Sequence, residues 1–234
     1  AMLRSCLALC RTILMQPLRV PLLTMSTAAG PIGAAATRLP GDLLIREHTF
    51  KVPIDHSKPR SGELDLFVRE LVPASKASDE SLPCLMYLQG GPGFPSGRPT
   101  SPASGWQASA LSTPFRVLLL DQRGTGRSTP ITAQSLAALG DPQAQASFLE
   151  CFRADSIVKD CEIVRKKLAK GGKLSLIGQS FGGFCILSYL SQHPEAIERA
   201  LFTFGLAPVG RSADEVYTAT FKRMEERNRR YYER

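Results

Sequence analysis

The segment Leu174-Ser175-Leu176-Ile177-Gly178-Gln179-Ser180-Phe181-Gly182-Gly183 decides the fold of this chain. Its first residues form a short apolar run, which is typical of a buried strand. The residues that follow, up to Gln192, predict a helix. Between the two elements, positions 178–182 fit the pattern G-x-S-x-G. A strand that turns this tightly into a helix requires glycine beside the serine, and it places the serine hydroxyl at the carboxyl end of the strand.

This turn predicts that Ser180 is a nucleophile. Its backbone would be strained, and the helix that follows would direct its free N–H groups and positive dipole end at the point where an oxyanion forms. The backbone N–H of Phe181 is therefore one candidate oxyanion donor. A chance glycine-rich turn is the alternative, and the flanking strand and helix argue against it.

A second glycine-rich segment, Gln89-Gly90-Gly91-Pro92-Gly93, follows the predicted strand Cys84–Leu88. Because glycine has no Cβ atom, the backbone of such a loop can approach a ligand closely. One of its N–H groups can supply the second oxyanion donor. Gly91 is the first choice and Gly90 the second. A plain turn is the alternative interpretation.

A third segment, Asp121–Ser128, reads Asp-Gln-Arg-Gly-Thr-Gly-Arg-Ser and follows the apolar run Val117–Leu120. It matches neither a phosphate-binding loop, G-x-x-x-x-G-K-[ST], nor a dinucleotide-binding fingerprint. We therefore predict a structural role. The glycines would form the turn, pairing of arginine with aspartate would brace the loop, and Ser128 would satisfy backbone donors.

The rest of the chain alternates strands and helices, which indicates an α/β fold. Two strands before the glycine-rich loop are expected to form an antiparallel entry pair. The further predicted elements are the strands Leu44–Val52 and Leu64–Val72, a helix over Ser156–Leu168, a strand over Ala200–Phe204 and a charged helix over Ser212–Arg234.

The composition fits a single folded domain. The chain has 234 residues, of which 43% are hydrophobic and 21% charged, so it can bury a core of its own and is not disordered. The formal net charge is +8, but Arg4, Arg11, Arg19 and Arg38 precede the first acidic residue, Asp42. Because half of the excess positive charge lies in these first 41 residues, which we call the leader, we expect no nucleic-acid partner.

Residues 1–41 contain no Asp or Glu, and spaced arginines alternate with small or hydroxylated residues. This composition indicates a transit peptide and hence a chloroplast or mitochondrial location. A start at Met25 and a weak secretory signal are the alternatives, and without a transit peptide the protein would be cytoplasmic. No apolar run reaches the roughly eighteen residues of a membrane span, so we expect no membrane partner.

The six cysteines form no C-x-x-C pair, and with three scattered histidines they show no zinc spacing. We therefore expect buried thiols and neither a metal nor another cofactor. A disulfide between Cys151 and Cys161 is the alternative in an oxidising compartment.

The three glycine-rich segments, in this order, resemble the α/β-hydrolase fold and, more narrowly, the proline iminopeptidase family. The resemblance covers Leu43–Arg234 and departs at Gln89, where many relatives have histidine. It implies a mostly parallel sheet with flanking helices. It also implies a metal-free serine peptidase that forms an acyl-enzyme on Ser180. The implied substrate is a peptide or amino-acid amide with a free N-terminus, from which the first residue, preferably proline, is released.

A serine nucleophile needs a histidine base and a carboxylate that orients it, and in this fold both follow the serine. Only His193 follows Ser180, and it lies about 20 Å away at the far end of a helix. His48 and His56 precede the serine. We therefore expect that the triad Asp and His are not in this chain and that it is inactive alone. The fold would then be incomplete at its C-terminus, where a helical cap begins.

These expectations divide the chain into a leader (1–41), a partial hydrolase core (42–211) and the start of a cap (212–234). The resemblance implies that acidic cap residues hold the substrate amine, and Glu215, Glu225 and Glu226 are candidates by position. A solvated helix face is the alternative for all three.

Two other functions stay open at this stage. An esterase of the same fold is one, and it ranks above an epoxide hydrolase because the residue at the turn is serine rather than aspartate. The other is a non-catalytic binding protein made from a truncated transcript. The sequence does not determine the oligomeric state.

Overall fold

A computed structural model of the chain describes residues 36–100, 105–113, 115–205 and 210–233. The predicted leader lies outside the described residues except for its end, where Thr37–Leu39 form a strand. No helix of the described part is long and apolar enough to cross a membrane.

Within the described ranges, seven strands form one mixed sheet in the order β1-β2-β3-β5-β4-β6-β7. The first four strands in this order pair antiparallel, and the last four pair parallel. The sheet thus agrees with the predicted fold class, including the antiparallel entry pair. The strands are β1 (Thr37–Leu39), β2 (Leu43–Pro53), β3 (Glu63–Pro73), β4 (Cys84–Leu88), β5 (Arg116–Asp121), β6 (Leu174–Gln179) and β7 (Ile197–Thr203).

Six α-helices occur in the same ranges, together with 3-10 turns at Ala74–Lys76 and Pro194–Ala196. The helix after Ser180 has the predicted bounds, whereas β1 and the first three helices were not predicted. These helices are short, and they bury one residue among them, so their apolar periodicity is weak. The helices are α1 (Gly105–Ser112), α2 (Ala133–Ala137), α3 (Pro142–Glu150), α4 (Ala154–Leu168), α5 (Phe181–Gln192) and α6 (Ala213–Tyr232).

The predicted strand over Ala200–Phe204 is wrong at both ends. The 3-10 turn returns the chain to the sheet earlier, so β7 begins at Ile197, which is buried. β7 ends before Phe204, whose φ of 59° is incompatible with a strand.

The core lies on both faces of the sheet. On one face, α4 and α5 cover the apolar side chains of the central strands, and the helical spacing in α4 buries Ile157, Cys161 and Val164 as predicted. On the other face, α1 packs Ala110 and the partly buried Trp106 against a smaller apolar cluster. The carboxyl ends of the parallel strands are left for the loops that form the site.

The loop after β5 has the predicted structural role. Ser128 Oγ accepts a hydrogen bond from the Phe67 N–H at 2.8 Å and donates one to the Asp121 carbonyl at 2.5 Å. The Asp121 carboxylate accepts from the N–H groups of Ser96 and Arg127, both at 2.9 Å. These bonds connect the loop after β5 to the loop that carries the glycine-rich segment.

Arg123 of this loop forms an ion pair with an aspartate, and its partner is a residue of α4 rather than of the loop itself. Arg123 binds Asp160 of α4 through two nitrogens, at 2.6 and 2.7 Å, and both side chains are fully buried. Arg123 also donates to the carbonyls of Ile54 and Cys151. A buried ion pair stabilises a fold only when its polar atoms have partners, and these bonds supply them.

Glu70 is the centre of a second buried charge cluster. Its carboxylate lies 2.7 Å from Arg116 Nε and 2.8 Å from His48 Nε2. Burial alone would raise the pKa of Glu70, but the hydrogen bonds from His48 and Arg116 outweigh it and hold the pKa at about 2.

The described cysteines Cys84, Cys151, Cys161 and Cys185 are free thiols. The alternative of a disulfide between Cys151 and Cys161 is therefore wrong for this structure. All but Cys151 are buried, as expected. Burial raises the pKa of Cys185 to about 12, which makes this thiol unreactive at neutral pH.

The Glu70 cluster predicts acid-dependent stability. Because the pKa of Glu70 falls from 4.5 to about 2 on folding, its contribution is complete above pH 4.5 and is lost as the pH falls towards 2. We expect Glu70→Gln to lower the free energy of unfolding by about 3 kcal/mol at pH 7 and to flatten its fall below pH 4.5. Urea denaturation at a series of pH values measures both. The matched control is Glu63→Gln, at the exposed start of the same strand, and equal pH profiles for wild type and Glu70→Gln would contradict the prediction.

Candidate active site

Ser180 lies between the end of β6 and the start of α5, and it is exposed to solvent. Its backbone has φ 50° and ψ −115°, a conformation that is strained for any residue except glycine. The Ser180 N–H donates to the Phe204 carbonyl at 2.8 Å and to the Thr203 carbonyl at 3.1 Å. The end of β7 therefore holds the turn in its strained form.

Gly182 shows why the turn requires glycine. A Cβ atom on Gly182 would lie 2.0 Å from the carbonyl oxygen of Leu88, the last residue of β4. Real Cβ atoms do not approach an oxygen so closely, so any side chain here would push α5 away from β4. Gly178 is equally restricted, since its Cβ would lie 2.5 Å from the Gly182 carbonyl oxygen.

The glycine-rich loop after β4 lies directly beside Ser180. A Cβ atom on Gly90 would be 3.0 Å from the Ser180 Cβ. The N–H of Gly90 is already used, because it donates to Gln89 Oε1 at 2.8 Å. Neither the Gly91 N–H nor the Phe181 N–H has an acceptor among the residues that the structure describes. Of the two predicted donors in this loop, the Gly91 N–H is thus available to a ligand, whereas the Gly90 N–H already donates to Gln89.

This arrangement can perform one step of acyl transfer well. An exposed hydroxyl in a fixed backbone can attack a carbonyl carbon, and backbone N–H groups beside it can stabilise the negative charge that develops on the carbonyl oxygen. The N-terminus of α5, a helix of twelve residues, adds its positive dipole end at the same point.

None of the three histidines of the sequence lies near Ser180. His193 follows the last residue of α5, and its ring Nδ1 lies 3.5 Å from Glu195 Oε1. His48 lies on β2, where it binds Glu70 of the neighbouring β3. Three strands separate β2 from β6, which is a distance of about 19 Å at the usual strand spacing. His56 lies 2.9 Å from Asp160 Oδ1. Each ring is therefore engaged elsewhere, and no histidine of this chain can take the Ser180 proton.

The predicted candidate Glu215 lies in the first turn of α6. Its carboxylate accepts from the Ser212 N–H at 2.8 Å and lies 3.2 Å from Arg211 Nη1. Hydrogen bonds from Ser212 lower the pKa of Glu215. Glu215 thus caps its own helix, and Glu226 pairs with Arg230 one turn away. These local roles fit the solvated-face alternative, and the binding of an amine by Glu215 or Glu225 stays a prediction.

The sequence analysis assigned no role to Gly205, Tyr87 or Gln179, which all shape the site. Gly205 packs against the turn, since its Cβ would lie 2.1 Å from the Ser180 carbonyl oxygen. Tyr87 contacts the side chains of both Gln89 and Gln179. Side chains alternate along a strand, and β4 pairs parallel with β6, so Tyr87, Gln89 and Gln179 lie on one face of the sheet. This alternation could have revealed the cluster from the sequence.

No group of three or more His, Cys, Asp or Glu side chains in the described ranges is arranged to hold a metal ion.

Comparisons with known proteins identify the fold family of the chain. The family model of the alpha/beta hydrolase fold matches residues 83–233. A proline iminopeptidase of Aeromonas sobria is 53% identical over 188 residues, which cover 80% of this chain and 43% of the relative. A proline iminopeptidase of Aspergillus aculeatus is 42% identical over 200 residues, which cover 83% and 44%. These matches confirm the resemblance to the proline iminopeptidase family.

The chain spans less than half the length of these curated relatives. Among solved structures, a proline iminopeptidase-related protein from Thermus thermophilus aligns with a TM-score of 0.42 and 26% identity, over 67% of this chain and 44% of that one.

The contact between Gly182 and Leu88 predicts the effect of adding a single methyl group. We expect Gly182→Ala to lower the free energy of unfolding by about 3 kcal/mol, because α5 or β4 has to shift. Gly97→Ala is the matched control, since a Cβ there meets no atom within 4 Å. Chemical denaturation of both variants measures the difference. Equal stability of the two variants would show that the turn tolerates a side chain.

Proposed function

Because this chain belongs to the α/β-hydrolase family, we propose that it carries the nucleophile and the oxyanion site of a serine aminopeptidase. The enzyme would release the N-terminal residue, preferably proline, from peptides or amino-acid amides. One observation carries the proposal. An exposed serine in a strained turn lies beside the glycine-rich loop, and neither the Phe181 N–H nor the Gly91 N–H has an acceptor among the described residues. The names of the relatives support the choice of substrate.

In the proposed reaction, Ser180 Oγ attacks the carbonyl carbon of the substrate's first residue. The carbonyl oxygen becomes an oxyanion, which accepts hydrogen bonds from the Phe181 and Gly91 N–H groups. The C–N bond then breaks, the amine leaves with a proton, and the first residue remains as an ester on Ser180. Water hydrolyses this ester and frees both the residue and the serine.

Proton transfer is the step for which the described residues offer no histidine near Ser180. A base has to take the proton of Ser180 and pass it to the leaving amine. Because His48, His56 and His193 all lie away from Ser180, the step would need a base other than these three histidines.

The positions of the histidines predict the behaviour of the 234-residue polypeptide. We expect no Ser180-dependent turnover of a prolyl fluorogenic amide, because the hydroxyl has no base. The purified polypeptide and its Ser180→Ala variant are compared by fluorescence. Turnover by the polypeptide that is abolished in Ser180→Ala would mean that another group acts as the base.

The protein as its natural gene encodes it allows the direct test. We expect it to hydrolyse the prolyl amide, and we expect Ser180→Ala to lower kcat by about 10⁴-fold or more. Ser191→Ala, an exposed serine on the same helix, is the control and should leave kcat unchanged. A p-nitrophenyl ester distinguishes the esterase alternative. If only the ester is hydrolysed, the peptidase proposal is wrong, and if neither substrate is hydrolysed, a binding function replaces both.

A further inference from the structure

We infer that Gln89 is a positioning residue of this site, which holds the glycine-rich loop so that the Gly91 N–H stays directed at the oxyanion. The inference rests on the proposed function, because it assigns Gln89 a part in the same reaction. Gln89 does not touch the reacting atoms and would act through the backbone of the two glycines that follow it.

The Gln89 side chain closes the loop by hydrogen bonds at both ends. Its Oε1 accepts from the Gly90 N–H and from the Tyr87 hydroxyl, both at 2.8 Å. Its Nε2 donates to the carbonyl of Pro95 in a long bond of 3.4 Å. The Gln89 carbonyl accepts from Gln122 Nε2 at 3.0 Å. The side chain therefore spans the segment from Gly90 to Pro95 and fixes its shape.

The bond to Gly90 has a direct consequence for the oxyanion site. Two successive glycines, Gly90 and Gly91, could each offer an N–H to a carbonyl oxygen at Ser180. Because Gln89 Oε1 occupies the first, the second is the one left open. Without this bond, both peptide groups could rotate freely, since glycine allows a wide range of backbone conformations.

Tyr87 anchors Gln89 to the rest of the site. It is largely buried, and Trp106 of α1 stacks against its ring with the centroids 5.0 Å apart. The Tyr87 hydroxyl also lies 2.6 Å from the side-chain amide of Gln179, the residue before Ser180. A phenol has one hydrogen. The hydroxyl therefore donates to Gln89 Oε1 or to Gln179 Oε1 at any one time, and either bond ties one of the two amides to the buried ring.

Tyr87 thus joins the loop after β4 to the turn after β6. The two oxyanion donors, Gly91 and Phe181, belong to these two segments. Oxyanion donors lower the barrier only if they are aimed before the charge develops, and small displacements at such a site reduce rates strongly. The Gln89 amide, hydrogen-bonded to the buried Tyr87 and to the Gly90 N–H, would hold the Gly91 N–H in place before the charge develops.

Amide hydrogen exchange tests the contact itself. In the ¹⁵N-labelled full natural protein, we expect the Gly90 amide to exchange about tenfold faster in Gln89→Met than in wild type, because the bond that protects it is lost. Methionine has nearly the same length and no strong acceptor. Gln134→Met, at an exposed position of α2, is the matched control and should not alter the exchange of Gly90.

Kinetics test the role of the contact. With the prolyl amide, we expect Gln89→Met to lower kcat by about ten- to a hundredfold with little change in KM, because the oxyanion forms only in the transition state. In Gln89→His, a neutral ring nitrogen can still accept from the Gly90 N–H. This variant should recover kcat above about pH 7 and lose it below about pH 6, relative to wild type, as the ring becomes protonated. A residue that only stabilises the fold would not produce this pH profile.

The outcomes separate the inference from the proposed function. Unchanged exchange of Gly90 in Gln89→Met overturns the inference, and so does faster exchange with an unchanged kcat. Both results leave the proposed function intact as long as the wild type hydrolyses the prolyl amide. A wild-type protein that hydrolyses neither the amide nor the ester refutes the proposed function, and the positioning role falls with it. Faster exchange, a lower kcat and the pH-dependent recovery in Gln89→His together support the inference.

Discussion

The close approach of α5 to β4 is the constraint on which the site depends. Because Gly182 has no side chain, α5 can begin directly against the end of β4. Any Cβ atom at this position would collide with the Leu88 carbonyl. This contact places Ser180 beside the glycine-rich loop and aligns the first N–H groups of the helix with the same point. The strain at Ser180 is the cost of the arrangement, and it persists because the Phe204 carbonyl and the packing of Gly205 leave the turn no alternative.

Buried charges stabilise the scaffold around this turn. The ion pair of Arg123 and Asp160 connects the loop after β5 to α4, and Glu70 connects β3 to β5 through Arg116. Such groups are costly to bury and stabilise only when their polar atoms are paired, so they favour one arrangement of the loops over others. The proposed oxyanion donors are backbone groups of the loop after β4 and of the first turn of α5, and Asp121 connects the first of these to the loop after β5.

The site divides its chemistry between backbone and side chains. In the proposed reaction, charge stabilisation would come from N–H groups that the fold fixes, and the hydroxyl would come from one residue at a strained turn. None of the three histidines is placed to accept the Ser180 proton, because His48 and His56 bind carboxylates elsewhere and His193 lies at the far end of α5. Around the serine, the amide side chains of Gln89 and Gln179 meet at Tyr87, and the Asp121 carboxylate holds the far end of the same loop through the Ser96 N–H.

Local patterns in the sequence determined β4, α5 and the serine turn, because strand and helix periodicity and the need for glycine at a sharp turn act over a few residues. The structural role of Ser128 was predictable for the same reason. Other features depend on residues far apart in the chain, such as the pairing of Arg123 with Asp160 in α4 and the contact of Tyr87 with Gln179. The short helices α1 to α3 were also missed, since they bury too little to show a period. Only the tertiary structure decides these points, because they depend on which strands become neighbours in the sheet, and no local spacing encodes that order.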